Sequence, residues 1–466
     1  MKRKFSIALL FAIMATIFSF NVLAVEITEE NMYDTMLISE DLEMAYISNA
    51  RPGLIISPRP SNAIKVQLDG QYLDFTDENG NVVNPEILND RTMVPMRKIF
   101  ETFDADVKWD GTTRTVVATT LEKEITLTID NEKAKVKNLE TSEEKEIVLD
   151  AAPVILNDRT MVPVRFIAES LEKEVGWDSE LRTVVIIDYD KLTKKLEEKA
   201  PALQKLFDIE VETTESFKTT SKITGKLTYK DPENKTNNET VEIDGNLELN
   251  MNKEKEMEMF FDIKFDGKGT IYNSLKEAGY EEMEFGIVIA EDNAYMMAKI
   301  DGKEMWQSME DELDLSALDS LQVSASPKSY AEYMDTIKVS LGELDSTTYM
   351  VADQMIELFA AIFSEENLTV SGTNSKKTVK LEMDLMELLG SLLGTAVSEV
   401  EDMEMKVTVV EKISNKKIDS AVIELEMEIK EPSTKENMEL NLELDMKYGN
   451  INKDFDIKVP TITVER

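Results

Sequence analysis

The sequence predicts an α+β protein in which a duplicated hairpin–helix–hairpin domain precedes a large curved antiparallel sheet packed on helices. Three observations predict it. Residues 87–97 read Ile-Leu-Asn-Asp-Arg-Thr-Met-Val-Pro-Met-Arg, and residues 155–165 repeat them with one change, Val164 for Met96. From Ser216 onward apolar and polar residues alternate over long stretches, the period of strands with one buried and one wet face. Two strongly apolar stretches at helical spacing, Thr348–Phe363 and Leu385–Val400, interrupt that alternation.

Met1–Ala24 begins with Lys2-Arg3-Lys4, continues with an apolar run from Phe5 to Phe20, and ends on Val22-Leu23-Ala24. That is the layout of a secretory signal peptide. The run falls short of the ~20 residues that a membrane span needs. We expect export, cleavage before Val25, no stable membrane insertion afterwards, and a secreted or cell-wall-associated protein. Losing three cations takes the net charge from −40 to −43, which favours solubility and disfavours nucleic acid or an anionic membrane as a partner. Residues 25–61, with Pro52, Pro58 and Pro60, read as an extended lead-in.

Residues 62–188 form the duplicated domain, with copies at 64–118 and 125–188. Asn89 aligns with Asn157, and the same offset matches Pro85 with Pro153, Glu101 with Glu169, and Trp109-Asp110 with Trp177-Asp178. Identity at a fixed offset marks a duplicated structural unit. Asn89-Asp90 and Asn157-Asp158 suit the left-handed residues of a tight hairpin turn. Pro95 and Pro163 then suit a strand-to-helix junction. Arg97 with Glu101, and Arg165 with Glu169, stand at i,i+4 on the outer helix face. Trp109 and Trp177 sit on alternating strands beside valine, which predicts burial. Each copy is too small to bury a core by itself, so the two are expected to pack together.

This stretch resembles the copper amine oxidase N-terminal-like domain, a module of exported proteins of Gram-positive bacteria. Asn89, Arg91, Pro95, Arg97, Glu101 and Trp109 carry the resemblance in the first copy. Asn157, Arg159, Pro163, Arg165, Glu169 and Trp177 carry it in the second. The family's Leu-Gly-Ala after the helix is Phe103-Asp104-Ala105 in one copy and Leu171-Glu172-Lys173 in the other. Oxidase chemistry does not follow. The chain has no histidine and no cysteine, the ligands that suit copper, and no cofactor is expected. The module is a fold, and a fold does not bring a function with it.

Residues 189–215 read as a charged helical linker. Residues 216–466 follow as antiparallel sheet plus helices. Met257, Met259 and Phe261 on one strand and Leu440, Leu442 and Leu444 on another define an apolar face, which Leu388 and Leu392 of the second apolar helix are expected to cover. A curved sheet wrapped on helices is similar in architecture to LolA/LppX-type lipoprotein carriers. Methionine is frequent, 26 residues in all, and fits either an irregular core or the wall of an apolar-ligand cavity.

Other candidate sites have plainer readings. Asp77-Glu78-Asn79-Gly80 starts like a calcium loop, but glycine falls at position four and Leu88 at position twelve, where an EF-hand needs glycine at six and glutamate at twelve. Glu310-Asp311-Glu312 with Asp314 reads as an acidic helix start. Glu101 and Glu169 as a glycosidase pair compete with their equivalent placing, which suits a structural salt bridge. We therefore expect no catalytic or metal residues. The expected function is a non-enzymatic envelope binding protein whose partner is a wall polymer or an envelope protein. The alternative is a carrier of a lipid-like ligand in the C-terminal half.

Overall fold

The computed structural model describes residues 63–460 apart from 77–79, 213, 291–292, 301–302, 309–326, 387, 389–402 and 432–433. The expected signal peptide and lead-in, the Asp77–Asn79 loop, the Glu310–Asp314 cluster and Leu392 lie outside the described residues. The protein is α+β and mostly sheet. It divides into two compact units. One comprises Gly53–Lys195 with Leu341–Ile356, the other Leu196–Ser340 with Glu357–Arg466.

In the first unit the chain runs β1 (Lys65–Leu68), β2 (Gln71–Tyr72), β3 (Glu86–Leu88), β4 (Arg91–Pro95), α1 (Met96–Thr102), β5 (Asp106–Asp110) and β6 (Thr115–Thr119). The second copy follows as β7 (Lys123–Thr128), β8 (Lys133–Asn138), β9 (Glu144–Val148), β10 (Val154–Leu156), β11 (Arg159–Pro163), α2 (Val164–Ser170), β12 (Glu174–Asp178) and β13 (Thr183–Ile187). The copies interlock. Strand β4 pairs antiparallel with β11, Val94 opposite Val162. Strand β6 of the first copy pairs with β7 of the second, and β13 of the second pairs in parallel with β1 of the first. One core holds Val94, Ile99 and Phe100 together with Val162, Phe166 and Ile167.

The motif residues act locally. Asn89 and Asp90 have φ of 51° and 58°, and Asn157 and Asp158 have φ of 48° and 56°, two successive left-handed residues as a tight hairpin turn requires. Pro95 and Pro163 end their strands and precede the first residue of each helix. Each helix closes without glycine. Asp104 (φ 57°) and Glu172 (φ 59°) take the left-handed conformation. The amides of Asp104 and Ala105 bond back to the carbonyls of Glu101 and Phe100, at 3.1 and 3.0 Å. The second copy repeats this closure, Glu172 to Glu169 and Lys173 to Ala168, the hydrogen bonding of a Schellman motif.

Helix α3 (Tyr189–Lys199) carries the charged stretch and buries Leu192 and Leu196. In the second unit eleven strands make one antiparallel sheet: β14 (Phe217–Lys230), β15 (Glu239–Met251), β16 (Met257–Lys268), β17 (Glu282–Ala290), β18 (Asn293–Ile300), β19 (Lys303–Ser308), β20 (Leu368–Thr373), β21 (Lys376–Asp384), β22 (Met403–Ser414), β23 (Lys417–Lys430) and β24 (Asn437–Gly449). Their order is β19-β18-β17-β16-β15-β14-β24-β23-β22-β21-β20, so the last of these strands lies beside the central β14. Period-two alternation puts Leu227, Val241, Ile243, Phe265, Met427 and Leu440 into one buried cluster. Helix α4 (Thr270–Glu277) covers this cluster through Ile271, Tyr272 and Leu275. The Glu239 carboxylate accepts from the amides of Thr270 and Ile271 at 2.7 and 2.8 Å, which satisfies free donors at that helix start.

Candidate functional site

Two regions contain the residues that the sequence singles out. In the duplicated module the charged motif residues are exposed and weakly paired. Arg97 and Glu101 approach to 3.7 Å on the surface, a contact worth little in water. Among the described residues Arg165 makes no such pair with Glu169. Arg91 bonds Asp150 at 2.9 Å, joining the first copy's turn to the second copy.

The tryptophans correct the sequence reading. Trp109 is 42% exposed and Trp177 41%, although Val116 and Val184 directly opposite them are buried. Alternation placed each indole on the core-facing side of its strand. Strands β5 and β12, however, are the edges of their sheets, so each ring stands at the rim of the core with one part in water. Both copies show this at equivalent positions.

The surroundings of the two rings differ. Asp110 turns back on its own loop, accepting from the Thr112 amide at 2.8 Å. Asp178 also turns back on its own loop, accepting from the Leu181 amide at 2.8 Å, and in addition accepts from the amide of Ser346 at 3.3 Å and from its hydroxyl. Gly176 lies against Leu344 so closely that a Cβ there would come within 2.4 Å of the leucine Cβ. The first copy has Lys108 at this place, exposed and paired with Asp106 at 2.8 Å. The second copy's edge is therefore covered by a later segment, and among the described residues the first copy's edge has no such cover.

The apolar face of the large sheet is mostly packed. Leu440 is fully buried and Leu444 nearly so, while Met257, Met259, Phe261, Leu442 and Leu388 are half-buried. A cavity of about 40 Å³ remains, lined by Ile223, Leu247, Phe261, Ile263, Leu442 and Leu444 among others. Sequence reasoning missed α4 as a cover for this face, although Ile271 and Leu275 stand at i,i+4 in its sequence.

It also missed Glu411. This residue follows Val407 and Val409 in the apolar register of β22 and is 5% exposed, with Val379 and Ala421 as cross-strand neighbours. Among the described residues its Oε2 has no hydrogen-bond partner. Burial pushes its carboxyl up to about 7. Tyr448 is raised by its own burial and then by the Glu411 charge. Ser221, reached from Glu411 across Ala421 and Met446 in register, also has a buried hydroxyl without a partner among the described residues.

Residues 68–186 match the copper amine oxidase N-terminal domain family. The matched stretch is the interlocked pair of repeats and covers about a quarter of the chain. No curated protein matches the chain. The match runs from the end of β1 into β13, while the eleven-stranded sheet lies beyond the matched residues.

Proposed function

We propose that the chain is an exported, non-enzymatic binding protein of a Gram-positive-type cell envelope, and that its duplicated hairpin–helix–hairpin module contacts a wall polymer or an envelope protein. The observation that carries this reading is the paired exposure of Trp109 and Trp177. A half-exposed indole offers an apolar plate and one N–H donor, the combination enriched at recognition surfaces. One such ring is ordinary. The same ring left at the rim in both copies, next to buried valines, points to a role other than packing. The charge of the chain favours a neutral or cationic contact over a polyanion. The apolar run after Lys2-Arg3-Lys4 supports export.

The test is co-sedimentation of the purified chain, begun at Val25, with isolated cell-wall material. The reading expects retention that falls at least ~10-fold, about 1.4 kcal/mol, in the Trp109→Ala, Trp177→Ala double variant. Equal retention of the two proteins would refute it.

A second reading, a carrier of a lipid-like ligand on a curved sheet, rests on the apolar lining of the cavity at Phe261, Leu442 and Leu444. Ligand pockets usually enclose ~300–1,000 Å³, against about 40 Å³ here. The envelope-binding reading is therefore preferred.

A further inference from the structure

Strand β17 contains Phe285-Gly-Ile-Val-Ile-Ala290, a run with apolar residues on both faces. Such a strand needs cover on two sides. On one side Val288 and Ala290 are each only 2% exposed. Their cover is the stretch that follows β24: Ile457 is buried with them, and Phe455 and Val459 pack alongside. Phe260 forms a wall of this groove. Its ring lies over Gly286, where a Cβ would come within 2.6 Å of it, and meets Trp306 edge-on at 6.1 Å between centroids.

The seated segment reads Phe455-Asp-Ile-Lys-Val459, with the apolar residues facing in and Asp456 and Lys458 exposed. This is how an extended peptide presents alternate side chains to pockets. Its anchor lies upstream, where the Asn452 amide donates to Ser216 O and Ser216 Oγ donates to Lys453 O, each at 2.8 Å. Among the described residues no backbone hydrogen bond joins 455–459 to the sheet. Beyond Lys453 side chains hold the segment, Lys218 over the Phe455 ring at 4.3 Å among them. A segment with few backbone bonds and one buried residue opens at low cost.

We propose that this face of β16–β19 is a binding groove for an extended peptide with apolar residues at alternate positions, filled by the chain's own Phe455–Val459 and open to the same segment of a second copy. The seated sequence defines the chemistry that fits. Asn450 and Asn452, with φ of 52° and 58°, turn the chain at its anchored base. Exchange between two copies replaces each contact with its equivalent, a low-cost route to association.

The experiment titrates a fluorescent peptide of residues 453–460 into the chain ended after Asn452, with circular dichroism to verify the fold and anisotropy as the readout. Saturable binding is expected, weakened at least ~10-fold in a peptide carrying Ile457→Asp and by a similar factor in the full chain, whose groove is filled. If the shortened chain unfolds, the full chain carrying Ile457→Asp takes its place and is expected to bind the unaltered peptide. Native mass spectrometry of the full chain should show dimers that Ile457→Asp abolishes. A folded, open groove that ignores the peptide, equal binding of a scrambled peptide, or dimers indifferent to Ile457→Asp would each overturn the proposal.

Discussion

Gln67 donates through Nε2 to the carbonyl of Ser346 at 3.1 Å, across 279 residues of chain. Asp178 holds the same serine through its amide and hydroxyl, and Lys195 pairs with Asp353 at 2.5 Å. The unit built on the two repeats therefore includes Leu341–Ile356, a stretch drawn from the middle of the later chain. Gly176 makes room for it.

Replacing Gly176 with Lys, the residue of the first copy, forces a side chain into the place of Leu344. Overpacking of this kind costs about 1–3 kcal/mol. The urea midpoint should fall, and protease cutting near Leu344 should accelerate. A Gly176→Lys protein matching the parent in both measurements would show that the segment does not dock there.

Glycine at position 104 or 172 should stabilise the protein. Asp104 and Glu172 hold left-handed φ values, which cost a residue with a Cβ about 1 kcal/mol. Asp104→Gly and Glu172→Gly should each raise the thermal midpoint. They should do so additively, since each substitution relieves its own helix end.

Much of this was legible in the sequence. The repeat gave the hairpin turns, the prolines and the shared core, because those depend on local backbone demands that the residues spell out. Alternation gave the large sheet. Alternation states which face a residue takes, however, and not how near it lies to an edge, so Trp109 and Trp177 were read as core. The docking of Ser346 on Asp178 left one trace, glycine where the first copy has lysine, which is meaningful only once Leu344 is known to lie against it. Glu411 was readable as a charge in an apolar register.

The stability contributed by Glu411 runs opposite to that of a paired acid. Its folded pKa of about 7 lies above the ordinary 4.5. The folded state thus binds the extra proton between those values. Stability is greatest below pH 4.5, falls as pH rises towards 7, and is flat in this respect above it. Glu411→Gln should remove that slope and stabilise the protein at pH 8, with little effect at pH 4. Chemical denaturation at several pH values measures this, and parallel parent and variant curves would contradict it.

In the native protein Trp109 and Trp177 should be open to a soluble quencher. Acrylamide titration of a Trp306→Phe variant reads these two rings alone, because the chain has three tryptophans. Efficient quenching and red-shifted emission are expected from rings about 40% exposed.

The same variant gives the most direct test of the envelope-binding reading. Soluble fragments of cell wall are titrated into the Trp306→Phe protein while emission is followed. A saturable blue shift and protection from acrylamide are expected, as both rings pass from water into a contact. Emission and quenching unchanged at fragment concentrations that retain the protein on intact wall would contradict it, placing the contact elsewhere on the molecule.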